Sequence, residues 1–351
     1  MRKLLGYLLI FSLLLSLMGC NRAEVPETAP SQQSTELPTA QTDPPEPSTE
    51  DRTAPTGGLK ISELGQSLGL TPENYPRIDG STSTLSISQQ LWAAMVSYDP
   101  YYFYAGFPQK ASKTVPSYAL LIGGEVDLIF VPYASEEVLQ SAAEAGVELE
   151  FHKVAAEALV FITPKENTAQ NITRAQIRSI YLDYGITNWS ELGGPDRELV
   201  PICRNDDSGS QSQMDNLVLS NEPMHPEIQN NFIELTMEGM LEQVAFYHNG
   251  GMSAEPTNSY AIGYTLYSYF FNMMNVSEAP HYLKLLDYEG ITPTGQSILS
   301  EEYPLADGYY AVIRSDLPED HPARAIITWL QTDEGCELIE SANLLSLREA
   351  Q

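Results

Sequence analysis

Cys203-Arg204-Asn205-Asp206-Asp207-Ser208-Gly209-Ser210-Gln211 lies between a short apolar run and a segment with helical spacing. The run before it, Leu199-Val200-Pro201-Ile202, has the character of a buried strand edge, and residues 211–219 place apolar side chains at helical intervals. Ser208-Gly209-Ser210 therefore falls where a strand hands over to a helix. A helix N-terminus leaves N–H groups without internal partners and carries partial positive charge, so it meets an oxyanion with ready donors. Gly209 allows close backbone approach, Ser208 and Ser210 add hydroxyls, and Arg204 offers a planar fork suited to a tetrahedral oxyanion. Asp206 is placed to hold that guanidinium. Taken alone, the same residues read equally simply as an ordinary Asp/Ser helix cap beside a surface arginine.

The N-terminus opens with Met1-Arg2-Lys3, an apolar run over 4–17, and Leu17-Met18-Gly19-Cys20. The run is short for a membrane span, and its layout resembles a bacterial lipoprotein signal peptide. Residues 1–19 are then expected to be removed, leaving Cys20 as the lipidated first residue. Residues 20–58 are rich in Pro, Thr, Ser, Gln and Glu and nearly free of large apolar side chains. They read as a disordered, extended tether. The folded part starts near Leu59, and its length suits two domains rather than one.

A formal charge of −29 over 351 residues argues against nucleic acid as a partner, and against a basic patch seated on an anionic membrane. It leaves anion binding open, because local donors in a desolvated cleft outweigh a field screened over about 8 Å. Beyond Cys20 only Cys203 and Cys336 remain, and two buried free thiols are expected. Neither they nor the five histidines have metal-ligand spacing, so no metal or cofactor is expected. The chain also lacks a Gly-x-Ser-x-Gly elbow, a His-Glu-x-x-His motif and a P-loop, so an enzyme reading has no nucleophile or metal site to build on.

Along the folded part, Ile78-Asp79-Gly80 leads through the hydroxyl-rich Ser81-Thr82-Ser83-Thr84 into an amphipathic segment, which repeats the strand-to-helix logic of 203–211. Residues 113–122 read as a helix with polar residues at its start, and Val126-Asp127-Leu128-Ile129-Phe130-Val131 as a buried strand ended by Pro132. A helix over 136–145 and separate strands over 147–151 and 158–162 follow. This alternation implies α/β layers with mainly parallel sheets, where ligands sit beyond the carboxyl ends of strands.

Residues 173–181 form a capped helix ending in Ile180-Tyr181; then come Gly185-Ile186-Thr187-Asn188-Trp189 and Arg204-x-Asp206-x-Ser208-Gly209-Ser210. With Tyr260-Ala261-Ile262-Gly263-Tyr264 and Tyr303-Pro304-Leu305 before the strand 309–313, this order resembles the phosphate-binding lipoproteins of bacterial ABC importers, in the type II periplasmic binding protein superfamily. The resemblance spans most of 75–347. It implies two mixed α/β sandwich lobes joined by a two-strand hinge, with 59–160 and 305–351 forming lobe 1 and 161–304 lobe 2. It also implies an anion site of Arg204, Ser208, Gly209 and Ser210 supported by Asp206, facing Thr114 and the 80–84 loop, where Ser81, Thr82 and Thr84 all stand as candidates.

In phosphate-specific members the strand resembling 126–131 continues into a Ser-Asp pair whose carboxylate accepts a proton of the ligand. Here Val131-Pro132 occupies that place, which implies weaker discrimination between phosphate and sulfate unless another carboxylate, such as Asp79, takes over. The implied protein is a monomeric, lipid-anchored, extracytoplasmic receptor passing phosphate or a related oxyanion to ABC permease subunits. A surface sensor or adhesin reusing the fold is the alternative, and a phosphate-ester enzyme a more distant one.

Overall fold

The computed structural model describes residues 58–98, 102–249 and 257–348. The leader, Cys20 and the tether up to residue 57 lie outside the described residues, and no described helix is long and apolar enough to cross a membrane.

Two units of strand, turn and helix build the first half. Strand β1 (Ile78–Gly80) runs into helix α1 (Leu85–Met95), and helix α2 (Thr114–Ile122) leads to strand β2 (Leu128–Pro132). β1 and β2 pair in parallel, with Gly80 opposite Phe130. Every residue of β2 is buried, as expected of a strand covered on both faces. Helix α3 (Glu136–Glu144) starts at Ser135, whose hydroxyl accepts from Val138 N–H.

Strand β3 (Leu149–Pro164) is one 16-residue strand where the sequence suggests two. The polar residues His152, Lys153 and Glu157 interrupt the apolar pattern, yet the backbone stays paired throughout. Residues up to Ala158 pair antiparallel with strand β9 (Ala306–Arg314), and Leu159 to Pro164 pair with strands β7 (Ser259–Leu266) and β8 (Leu283–Leu285). β3 thus changes partners between Ala158 and Leu159. Leu305, just before β9, adjoins that point, with Leu159 N–H donating to Leu305 O at 3.2 Å.

The second half contributes helix α4 (Arg174–Tyr181), strand β4 (Glu198–Pro201), strand β5 (Cys203–Arg204), helix α5 (Gly209–Met214), strand β6 (Ile233–Glu234), helix α6 (Met237–Phe246) and helix α7 (Tyr267–Met273). The main sheet order is β1-β2-β9-β3-β7-β4. Its pairings are mixed: β1–β2 and β7–β4 are parallel, whereas β2–β9, β9–β3 and β3–β7 are antiparallel. This corrects the expectation of mainly parallel sheets, because the two long crossing strands run against their neighbours.

Separate cores stabilise the two halves. Leu91, Trp92, Phe130, Tyr309 and Ile326 belong to one, and Phe161, Tyr181, Trp189, Met214 and Tyr264 to the other. Burying each such side chain contributes about 1.5–3 kcal/mol relative to leaving it in water. Cys203 and Cys336 are both buried free thiols.

Candidate functional site

Where the two halves face each other, a cavity of about 210 Å³ opens beyond the ends of β1, β5 and β6. One wall supplies Ser81, Thr82, Lys113 and Thr114, and the other Arg204, Ser208, Gly209 and Ser210. Ser81 caps the turn before α1, its hydroxyl accepting from Ser83 N–H at 3.1 Å. Thr114 is the first residue of α2, and Gly209 the first of α5. The cavity is therefore bounded by chain segments where strand or loop gives way to helix, as Ser208-Gly209-Ser210 suggests from sequence.

Arg204 lies on β5, which pairs in parallel with β6 and sets Arg204 opposite Glu234. That pairing brings backbone carbonyls to the guanidinium: Nε donates to Glu234 O at 3.0 Å and Nη2 to Leu235 O at 3.4 Å. Nη1 reaches Ser210 Oγ at 3.5 Å. The side chain is buried, and among the described residues it has no carboxylate partner. Burial lowers its pKa from the ordinary arginine value, the sign of a charge short of compensation. Five N–H donors against three contacts leave donors available to a ligand.

Asp206 does not hold the arginine. It lines a second groove with Glu136, Glu137 and Asp215, because the turn after β5 carries its side chain away from the guanidinium, which the carbonyls of 234–235 already occupy. Thr84 is also spent elsewhere: its hydroxyl donates to Phe130 O, accepts from Ser81 N–H at 3.1 Å, and does not line the cavity. Asp79 accepts from Ser112 N–H at 3.1 Å through Oδ1 and is not among the lining residues.

The two walls touch at Gly209. A Cβ there would stand 2.6 Å from Thr114 Oγ1 and 2.8 Å from Pro132 Cγ, so only a residue without a side chain fits. Pro132 thus packs directly against the turn that carries Gly209. Farther along, Asn216 Nδ2 donates to Ala134 O at 3.0 Å.

Several lining residues carry no signal that a sequence motif would reveal. Ser83, Lys113 and Asp207 flank the named hydroxyls, while Met237 and Tyr269 close the cavity from helices distant in sequence. Lys113 is held at φ 76°, ψ 171°, a region that disfavours any side chain. Burial pushes the Tyr269 hydroxyl up to about 12, with nearby Glu238 adding to the rise, so it stays a neutral donor.

A family model described as a PBP superfamily domain matches residues 48–334. The phosphate-binding protein PstS of Borreliella burgdorferi is 26% identical over 216 residues, covering 61% of this chain and 69% of that protein. Among solved structures, a Clostridium perfringens protein with bound phosphate aligns with a TM-score of 0.55 at 21% identity, over 77% of this chain and 98% of the other. An ABC-type phosphate transport receptor from Vibrio cholerae aligns at 0.54 and 20% identity, over 76% and 98%. These two structures share the fold.

Proposed function

The chain belongs to the PBP superfamily, and from that membership and the donor-lined cleft we propose that it captures phosphate, or a related tetrahedral oxyanion, for delivery to an ABC importer. The observation that carries the reading is Arg204, a buried guanidinium held by carbonyls and a serine hydroxyl rather than by a carboxylate. Leaving a buried charge uncompensated is costly, and an anion in the cavity removes that cost. Ser81, Thr82, Thr114, Ser208 and Ser210 then supply neutral donors around the same space. The named relatives support phosphate as the ligand, since one is a phosphate-binding protein and another a phosphate transport receptor.

In this reading the protein binds and releases without chemistry. The lobes are 59–160 with 305–351, and 161–304; they close by bending at the paired crossings of β3 and β9. The protein works outside the cytoplasm as a monomer, held to the membrane by lipid on Cys20, with the Pro-rich segment as tether and the permease subunits as its partner.

Isothermal calorimetry of the purified protein against phosphate, sulfate and methylphosphonate tests this. Saturable binding of phosphate at one site is expected. Heat of binding from none of the three would contradict it.

A further inference from the structure

The donors of the cavity come from residues 81–83, 113–114 and 204–210, but the rest of its lining is largely apolar. The turn from β6 to α6 brings Leu235 and Met237, and the junction of β7 with α7 brings Leu266 and Tyr269. Leu235 is held beside the anion anchor by its own backbone, since its carbonyl accepts from Arg204 Nη2 at 3.4 Å. The residue is 61% exposed and, among the described residues, joins none of the hydrophobic cores. A large apolar side chain thus stands open to water next to a buried charge. Met237 and Tyr269 are fixed by packing against the core that contains Leu91 and Phe130. The Glu234 carboxylate is spent within the turn, accepting from Thr236 N–H at 2.9 Å and Gln243 Nε2 at 2.7 Å.

An oxygen of a bare tetrahedral ion set against such side chains gives up water without gaining a donor, which is costly for a charged group. An organic substituent needs no donor there and is itself removed from water. Space allows it. A cavity of about 150 Å³ takes benzene, and phosphate has fewer non-hydrogen atoms than benzene, so about 210 Å³ leaves room for roughly three more. Glu238 also lines the cavity, so a substituent carrying a second anionic group is disfavoured. Apolar walls around a few placed polar groups are what a site for an organic ligand requires.

We propose that the cleft prefers a tetrahedral oxyanion bearing a short alkyl group, joined to phosphorus directly or through an ester oxygen. Arg204 and the hydroxyls hold the anion, and Leu235 and Met237 receive the alkyl group. The bare ion binds through the donors alone, and less tightly. This rests on the anion-binding reading of the cleft and adds the class of its ligand.

The test is calorimetry with phosphate, methylphosphonate, propylphosphonate and ethyl phosphate on the parent and Leu235→Ala. On the parent, propylphosphonate should bind about tenfold tighter than methylphosphonate, the worth of two further buried methylenes. Propylphosphonate and ethyl phosphate, matched in length, should bind tighter than phosphate; a gain in one of them alone supports the proposal and identifies the linkage. Leu235→Ala keeps the carbonyl that Arg204 uses and alters an exposed side chain, so it should hold phosphate affinity while the advantage of the alkyl ligands falls about threefold or more. Phosphate binding at least as tightly as both longer ligands overturns the proposal, as does an alkyl advantage that survives Leu235→Ala undiminished. Either result rejects this inference alone; parent protein that binds none of the four rejects the binding reading with it.

Discussion

Lys113 Nζ lies 3.9 Å from Asp207 Oδ2, so a charge pair bridges the two walls of the cleft at its rim. Both side chains are about half exposed, 46% and 49%, and a pair so hydrated contributes only about 0–1 kcal/mol. What singles out Lys113 is its backbone, in a region that costs about 1–3 kcal/mol for any residue but glycine. The predicted consequence of Lys113→Gly is a fold more stable by about 1 kcal/mol, after glycine's entropy cost of roughly 0.5–1 kcal/mol, together with weaker phosphate binding. Urea titration and calorimetry on the same sample check it. Affinity and stability falling together would place the strain elsewhere.

Gly209 is where the walls meet. A methyl group there would press on the Pro132 ring, which cannot rotate away, and on the Thr114 hydroxyl. Overpacking of this kind costs about 1–3 kcal/mol, so Gly209→Ala should lower phosphate affinity roughly tenfold or more by holding the walls apart. Small-angle scattering should show the variant more open than the parent in saturating phosphate.

Across the second groove, burial pushes the Asp215 carboxyl up to about 6, with Asp206 and Glu137 adding repulsion. A carboxyl that binds its proton more readily in the folded chain than in the unfolded one, where its value is 3.8, favours folding as pH falls from about 6 toward 4. At neutral pH its charge is therefore a burden of at most about 3 kcal/mol. Asp215→Asn, which can still accept from Gln211, should raise the urea midpoint at pH 7 and flatten the pH dependence below 6. An unchanged midpoint at neutral pH would show that the repulsion is relieved by solvent.

The lipid attachment read at Cys20 predicts that Cys20→Ala is exported but recovered in the soluble fraction, since a thiol is required for acylation. Membrane fractionation decides it, and a variant that still sediments with membranes would need another anchor.

Much of this molecule was legible from local chemistry. Arg204 and the Ser208-Gly209-Ser210 turn show themselves because a strand end, a glycine and a helix start must follow one another in sequence. The continuity of β3 was not legible, because His152 and Lys153 break the apolar run where that half of the strand is only partly covered. Nor was the role of Asp206: spacing puts a carboxylate two residues from an arginine, but the carbonyls delivered by β6, thirty residues on, take its place. Tyr269 and Met237 reach the cleft only through tertiary structure, and their neighbours in sequence say nothing about the cavity they share.

The central claim, that Arg204 holds a tetrahedral anion in the cleft, is tested most directly by calorimetry of phosphate binding to Arg204→Ala, with Lys165→Ala on an exposed turn as control. Removing a desolvated charge-assisted contact costs about 2–5 kcal/mol, so the affinity should fall roughly 30- to several-thousand-fold while the control binds as the parent does. Arg204→Ala that remains folded and binds phosphate as tightly as the parent would contradict the account.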